Sequence, residues 1–70
     1  MIQKMIDVRH DHDETQRDLA KALGYHQVRI ARYEKGKVTP PISYLQLFCK
    51  HYNVSADYLL DLPRGLAWPR

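Results

Sequence analysis

The stretch from Gln27 to Arg32 of this 70-residue chain carries side chains suited to hydrogen bonding with flat polar ligands. A guanidinium donates two parallel hydrogen bonds, so Arg29 or Arg32 could bond both major-groove acceptors of guanine. Gln27 offers a donor and an acceptor together, as adenine requires, and Val28 could contact a thymine methyl group. Both arginines could instead contact phosphates or solvent, because half or more of protein–DNA hydrogen bonds go to phosphate and sugar.

Charge is distributed unevenly along the chain, whose net charge is +3. Between residues 25 and 37, four basic residues oppose one acidic residue, whereas between residues 7 and 18 five acidic residues oppose two basic ones. The basic segment is therefore a candidate surface for an anionic ligand, although such a run also occurs as an ordinary solvated face.

Other chemistry finds little support in the residue pattern. Seventy residues make one small domain, and neither Ser43 nor Ser55 forms a recognisable nucleophile–base pattern with a histidine, so we expect no enzyme and no cofactor. His10 and His12 are two apart, which would separate them by about 200° on a helix, so we expect no metal site. The single cysteine, Cys49, cannot form an internal disulfide and is expected in the core.

The elements that must position the 27–32 stretch are helices. Thr15 and Asp18 have the spacing of a capping box, which predicts the start of a second helix after a first one that ends in the "HDHDE" segment. Gly24 is suited to end this second helix, and Gly36 to close a third. With no strand pattern anywhere, the sequence predicts an all-α fold, a compact bundle of five short helices.

The last two helices are predicted from apolar spacing. One runs from about Ile42 to His51, ends at Asn53 and places on its inner face Leu45, Phe48, Cys49 and Tyr52. The other is capped by Ser55, is stopped by Pro63 and is expected to close the core with Tyr58, Leu59 and Leu62.

The short link Gly24–His26 predicts a steep packing angle between the second and third helices, because so little chain cannot return antiparallel. The expected inner residues are Leu19, Leu23, Tyr25, Ile30 and Tyr33. This orientation leaves Gln27, Val28, Arg29 and Arg32 facing outward as a reading surface.

The segments "TQRDLAKALG", "RYEKGK" and "YNVSADYLLDL", in this order, resemble the lambda-repressor-like, Cro/XRE-type helix-turn-helix regulators over about Met5 to Leu62. In that family the second helix of the motif enters the DNA major groove while the first crosses the backbone. The resemblance implies base contacts by the reading surface. It also implies that Gln16 contacts a phosphate. The other residues expected to contact phosphates around this surface are Arg17, His26, Lys35 and Lys37.

The resemblance further implies an ion pair between Arg9 and Glu34 that ties the first helix to the base of the third. One departure stands out, because Asp13 and Glu14 occupy the place where the family commonly has Gly-Leu or another apolar residue. One core contact is therefore expected to be missing or supplied from elsewhere.

The sequence thus predicts a DNA-binding domain over residues 1–63 and a tail over 64–70 that contains Trp68. The expected function is that of a sequence-specific transcriptional regulator in the cytoplasm, a repressor that binds double-stranded DNA as a homodimer on an inverted repeat, with no membrane segment. The alternative is a protein-interaction module, such as an antitoxin or a phage-type adaptor, built on the same fold.

Overall fold

The computed structural model describes residues 1–62, and within them it shows five α-helices and no strand. The helices are α1 (Ile2–Asp11), α2 (Gln16–Leu23), α3 (Gln27–Glu34), α4 (Ile42–Tyr52) and α5 (Ala56–Leu60). The predicted all-α class and the order of the helices are confirmed. The domain boundary expected at residue 63, the stop at Pro63 and the tail with Trp68 lie outside the described residues.

Local sequence signals set most helix ends. Gly24 follows α2 with φ of 74°, and Asn53 follows α4 with φ of 55°, so both adopt the left-handed conformation that ends a helix. The Ser55 side chain accepts a hydrogen bond from the Tyr58 backbone N–H, which caps the start of α5 as predicted. Helix α4 extends one residue further than expected, to Tyr52.

The core lies where α2 packs against α3 and α4, and α1 closes it against α3 and α5. Leu19, Ile30, Phe48 and Leu59 are the largest side chains that are fully buried, each from a different helix. Leu23 and Tyr25 pack against this cluster while remaining half-buried. Burial of these groups from four helices fixes the orientation of α3 relative to the rest of the domain.

Tyr44 is a core residue that the sequence prediction missed. It is 2% exposed, and its ring centre lies 4.8 Å from that of Tyr33 and 5.3 Å from that of Tyr25. Tyr44, Phe48 and Tyr52 follow one another at intervals of four residues, so they form one aromatic stripe along α4. The predicted stripe was shifted, because Leu45 and Cys49 lie at its side and are only half-buried.

The expected roles of Tyr58 and Leu62 in the core are wrong. Both are exposed, at 52% and 44%, while Leu59 alone from this segment is buried. Asp61 adopts φ of 57° and ends α5 early, so Leu62 no longer follows the helical phase. The Tyr58 ring lies instead beneath the Lys4 ammonium group, 4.6 Å away.

Candidate nucleic-acid interface

The start of α2 is fixed by the predicted capping box. The Thr15 hydroxyl accepts from the Asp18 backbone N–H at 3.1 Å, and the Thr15 backbone N–H donates to the Asp18 carboxylate at 3.0 Å. The bond from the Thr15 backbone N–H, and next the nearby Thr15 side chain, lower the pKa of the Asp18 carboxyl. The first residues of the helix are thereby set in place, with Gln16 half-buried and Arg17 exposed.

The turn between α2 and α3 takes only three residues. Gly24 supplies the left-handed conformation, and the Tyr25 backbone N–H donates to the Ala20 carbonyl at 2.9 Å. His26 then precedes α3 with an extended backbone, and its exposed side chain makes no capping bond. Because Tyr25 is anchored against the core, α3 begins from a fixed point.

Helix α3 has one buried and one exposed face, as predicted. Ile30 is 0% and Tyr33 is 4% exposed, whereas Val28 is 62% exposed. The exposed side chains are those of Gln27, Val28, Arg29 and Arg32. These are the residues of the predicted reading surface, and we call them the reading face of α3. The structure therefore places all four predicted base-contacting residues on one accessible surface.

The two arginines of this face lie beside aromatic and apolar residues. The Arg29 guanidinium carbon lies 5.7 Å from the centre of the Tyr25 ring, a cation–π distance that restricts the side chain without using its hydrogen-bond donors. Arg29 and Arg32 together border a shallow depression whose other walls come from Tyr33, Val38 and Pro41. Neither arginine makes an ion pair within residues 1–62.

Basic residues continue past the end of α3. Lys35 directly follows the helix, and Lys37 lies beyond Gly36, which adopts φ of 75°. The Lys37 backbone N–H donates to the Arg32 carbonyl at 3.0 Å, which holds this turn against the helix. Both lysine side chains are exposed, so their charge extends the basic surface at this end of α3.

A second depression brings Gln16 and Gln27 together, although they begin different helices. Its remaining lining residues are Arg9, His10, Asp13, Glu14 and Thr15. The two amides therefore face a common concave surface next to the reading face.

The predicted ion pair between Arg9 and Glu34 is present. Arg9 Nε donates to Glu34 Oε2 at 2.8 Å, and Arg9 Nη2 donates to Glu34 Oε1 at 3.0 Å. Arg9 is 6% exposed and also donates from Nη1 to the Glu14 carbonyl at 2.7 Å. A bidentate pair of this kind joins α1 to the end of α3.

The same carboxylate accepts a third hydrogen bond, from Gln16 Nε2 to Glu34 Oε1 at 2.9 Å. The sequence predicted only the ion pair with Arg9 for Glu34, and this contact with Gln16, a predicted phosphate-contacting residue, was not predicted. The only available signal was that both residues lie at helix ends, which does not by itself predict contact.

The departure at Asp13 and Glu14 is compensated by polar contacts. Asp13 takes the left-handed conformation, with φ of 55°, that a glycine adopts readily. The Glu14 side chain is hydrogen-bonded to His51 Nε2 at 2.9 Å. The adjacent Tyr52 hydroxyl and then the His51 ring lower the pKa of Glu14, although no well-aligned hydrogen bond reaches that hydroxyl.

Both histidines of the acidic segment have partners within the domain, and His10 Nε2 lies 3.2 Å from Arg9 Nη2. His12 Nδ1 lies 2.8 Å from the Val8 carbonyl, and its ring packs 4.8 Å from that of Tyr52. Within residues 1–62, no three side chains of the types that bind metals are placed to hold an ion. Cys49 is half-buried, and burial raises the pKa of its thiol, which disfavours the reactive thiolate.

None of the helices in residues 1–62 is long and apolar enough to cross a membrane. Comparison with known families matches residues 15–59 to the helix-turn-helix family. No curated protein and no solved structure matches the chain. The matched range holds α2, the turn and α3 in the described geometry, and the chain belongs to the lambda-repressor-like, Cro/C1-type helix-turn-helix family, a family of DNA-binding regulators.

Proposed function

We propose that this protein is a sequence-specific transcriptional regulator, a repressor, that reads the DNA major groove with α3. The observation that carries the proposal is the division of α3 into a fully buried face, with Ile30 and Tyr33, and an exposed reading face. A helix fixed from behind by the core and carrying amide, apolar and guanidinium groups in front matches the requirements of direct base readout.

Each member of the reading face has a proposed partner. Gln27 pairs with adenine, Val28 contacts a thymine methyl group, and Arg29 or Arg32 donates to guanine. The depression beside Tyr33 leaves room for the arginines to change rotamer as a base edge approaches. Each correct bidentate contact would discriminate against the wrong base by about 1–3 kcal/mol.

The phosphate contacts surround this face. At the start of α2, Gln16 and Arg17 present their side chains to the ligand. Their backbone N–H groups, at the first two positions of the helix, have no carbonyl partner within the helix and can also face a phosphate. His26 begins α3, and Lys35 and Lys37 follow its end, so the proposed contacts lie on both sides of the base-reading residues. Such contacts set the register of the protein on the duplex and contribute affinity that does not depend on sequence.

We infer that two copies bind an inverted repeat in the cytoplasm, with half-sites separated by about one helical turn, or 34–36 Å. A single eight-residue reading helix covers only a few base pairs, and a symmetric pair doubles the sequence that is read. The proposed ligand is therefore double-stranded DNA, without a metal or cofactor.

A protein-interaction role is the second candidate. It is favoured by three exposed apolar side chains on or just after α5, those of Tyr58, Leu60 and Leu62. Protein interfaces are typically centred on exposed apolar side chains. The polar and cationic character of the reading face favours DNA as the ligand of α3 itself.

Selection of bound duplexes from a random pool, at near-physiological salt, tests the proposal. The wild-type chain should enrich a palindromic sequence, and the same selection with Gln27, Arg29 and Arg32 replaced by alanine should lose specific positions of it. The variant with Lys21→Ala, which alters an exposed cation on α2, is a control and should retain the enriched sequence. No enrichment by the wild-type chain would refute the proposed function and favour a protein ligand.

A further inference from the structure

The Glu34 carboxylate connects the core ion pair to the DNA-facing start of α2. Its Oε1 atom accepts from both Arg9 Nη2 and Gln16 Nε2, at 3.0 and 2.9 Å, while its Oε2 atom accepts from Arg9 Nε at 2.8 Å. The Glu34 side chain is 12% exposed. With three donors bound to it, the carboxylate has little freedom to rotate away from Gln16.

This contact fixes which way the Gln16 amide faces. A carboxylate can only accept hydrogen bonds, so the amide must turn its nitrogen, and not its oxygen, toward Glu34. One N–H group is then occupied by Glu34, and the second N–H group and the oxygen remain for other partners. A phosphate also only accepts, so the second N–H group is the part of this amide that it can bind.

We propose that Glu34, held by Arg9, is a positioning residue that orients the Gln16 amide to donate its second N–H group to a DNA phosphate. The inference rests on the proposed function and deepens it, because it assigns a role in DNA binding to a residue that need not touch DNA. Orientation before binding matters because an amide that is already ordered loses less conformational entropy when the phosphate arrives.

The arrangement also explains how the acidic residue Glu34 can lie beside a surface that binds a DNA phosphate. Arg9 neutralises the Glu34 carboxylate through two hydrogen bonds, and the Gln16 amide caps its Oε1 atom on a third side. An approaching phosphate then meets amide N–H groups where it would otherwise meet a carboxylate.

A double-mutant cycle separates this role from a purely structural one. Affinity for the duplex enriched by selection is measured for the wild-type chain, Gln16→Ala, Glu34→Gln and the double variant. We expect Gln16→Ala and Glu34→Gln each to weaken binding by about threefold to tenfold, the range of one hydrogen bond. In the Gln16→Ala background, Glu34→Gln should change affinity by less than about twofold, because there is no amide left to orient.

The Glu34→Gln change leaves the buried Arg9 charge without its partner, so that variant could fail to fold. The combined substitution Arg9→Met with Glu34→Met removes both charges, so it can take the place of Glu34→Gln in the same double-mutant cycle. Circular dichroism shows which variants are folded at the assay temperature. Gln46→Ala, which truncates an exposed glutamine on α4, is the matched control and should leave affinity unchanged.

The outcomes distinguish the inference from the function on which it rests. If the wild-type chain binds selectively and the loss from changing Glu34 disappears in the Gln16→Ala background, the positioning role is supported. Equal losses in both backgrounds would overturn the inference while leaving the proposed function intact. A wild-type chain that prefers no duplex would refute the proposed function, and the DNA role of Glu34 with it.

Discussion

Replacement of Arg9 by methionine should destabilise the domain severely. Arg9 is 6% exposed and donates four hydrogen bonds, two to Glu34, one to the Glu14 carbonyl and one to His10 Nε2. Methionine retains most of the apolar stem, so the change removes the charge and the donors and leaves the Glu34 carboxylate without its cation. Breaking one partner of a buried pair typically destabilises a protein by about 3–5 kcal/mol.

That loss is large relative to the whole domain. At about 0.05–0.15 kcal/mol per residue, a domain of this size has a free energy of unfolding of about 4–10 kcal/mol. Arg9→Met should therefore leave the protein marginally folded or unfolded at room temperature. The combined variant Arg9→Met with Glu34→Met should recover most of the loss, because it removes both buried charges and replaces them with apolar groups.

Urea denaturation followed by far-ultraviolet circular dichroism measures these differences directly. Lys4→Met is the matched control, since it removes another cation of α1 whose partner, Asp61, is exposed. We expect little change in stability for that variant because exposed ion pairs contribute little. A loss below about 1 kcal/mol for Arg9→Met, or no recovery in the combined variant, would refute the assignment of this pair as a buried link between α1 and α3.

Three further predictions concern the turn, acid stability and the basic surface. Gly24→Ala should destabilise the domain by about 1–2 kcal/mol in the same denaturation assay, because Gly24 has φ of 74°. An added Cβ would have no atom within 4 Å, so the expected loss comes from backbone strain alone. A neutral result would contradict the left-handed turn. The Tyr52 hydroxyl and the His51 ring lower the pKa of Glu14 below its ordinary 4.5, so ionised Glu14 stabilises the fold above pH 4.5 and this stability is lost as the pH falls through the lowered pKa. Glu14→Gln should therefore reduce the loss of unfolding free energy between about pH 6 and about pH 3. An unchanged loss would count against the contact between Glu14 and His51. Lys37→Ala should weaken binding to enriched and scrambled duplexes alike and reduce the salt slope by about 1, whereas a loss confined to one sequence would show that this lysine reads bases.

The parts of the fold that the sequence predicted depend on local rules. The capping box at Thr15 and the left-handed residues at Gly24 and Asn53 follow from neighbours within four positions. The reading face follows from helical periodicity, since Ile30 and Tyr33 define the buried side of α3. Once that side was identified, the exposed residues of the same helix followed.

The parts that the sequence did not predict depend on contacts between distant elements. Tyr44 was missed because its burial depends on the rings of Tyr25 and Tyr33, which only the packed structure places beside it. The link between Glu14 and His51 joins residues 37 positions apart. Neither spacing nor residue type in one sequence predicts such a pairing.

The end of α5 was misjudged for a different reason. The apolar pattern through Leu62 favoured a longer helix, but Asp61 turns into the left-handed conformation after five helical residues. Its carboxylate pairs with Lys4 of α1, a tertiary contact that periodicity does not predict. Tyr58 and Leu62 therefore remain exposed.

The most direct test of base reading by α3 is the ratio of affinities for the enriched duplex and a scrambled duplex of equal length, measured at one salt concentration. For the wild-type chain this ratio should reach about a thousand or more. With Gln27, Arg29 and Arg32 replaced by alanine the ratio should fall toward one, while circular dichroism shows the same helical content. An unchanged ratio in that folded variant would contradict the account, because sequence would then be read by some other part of the protein.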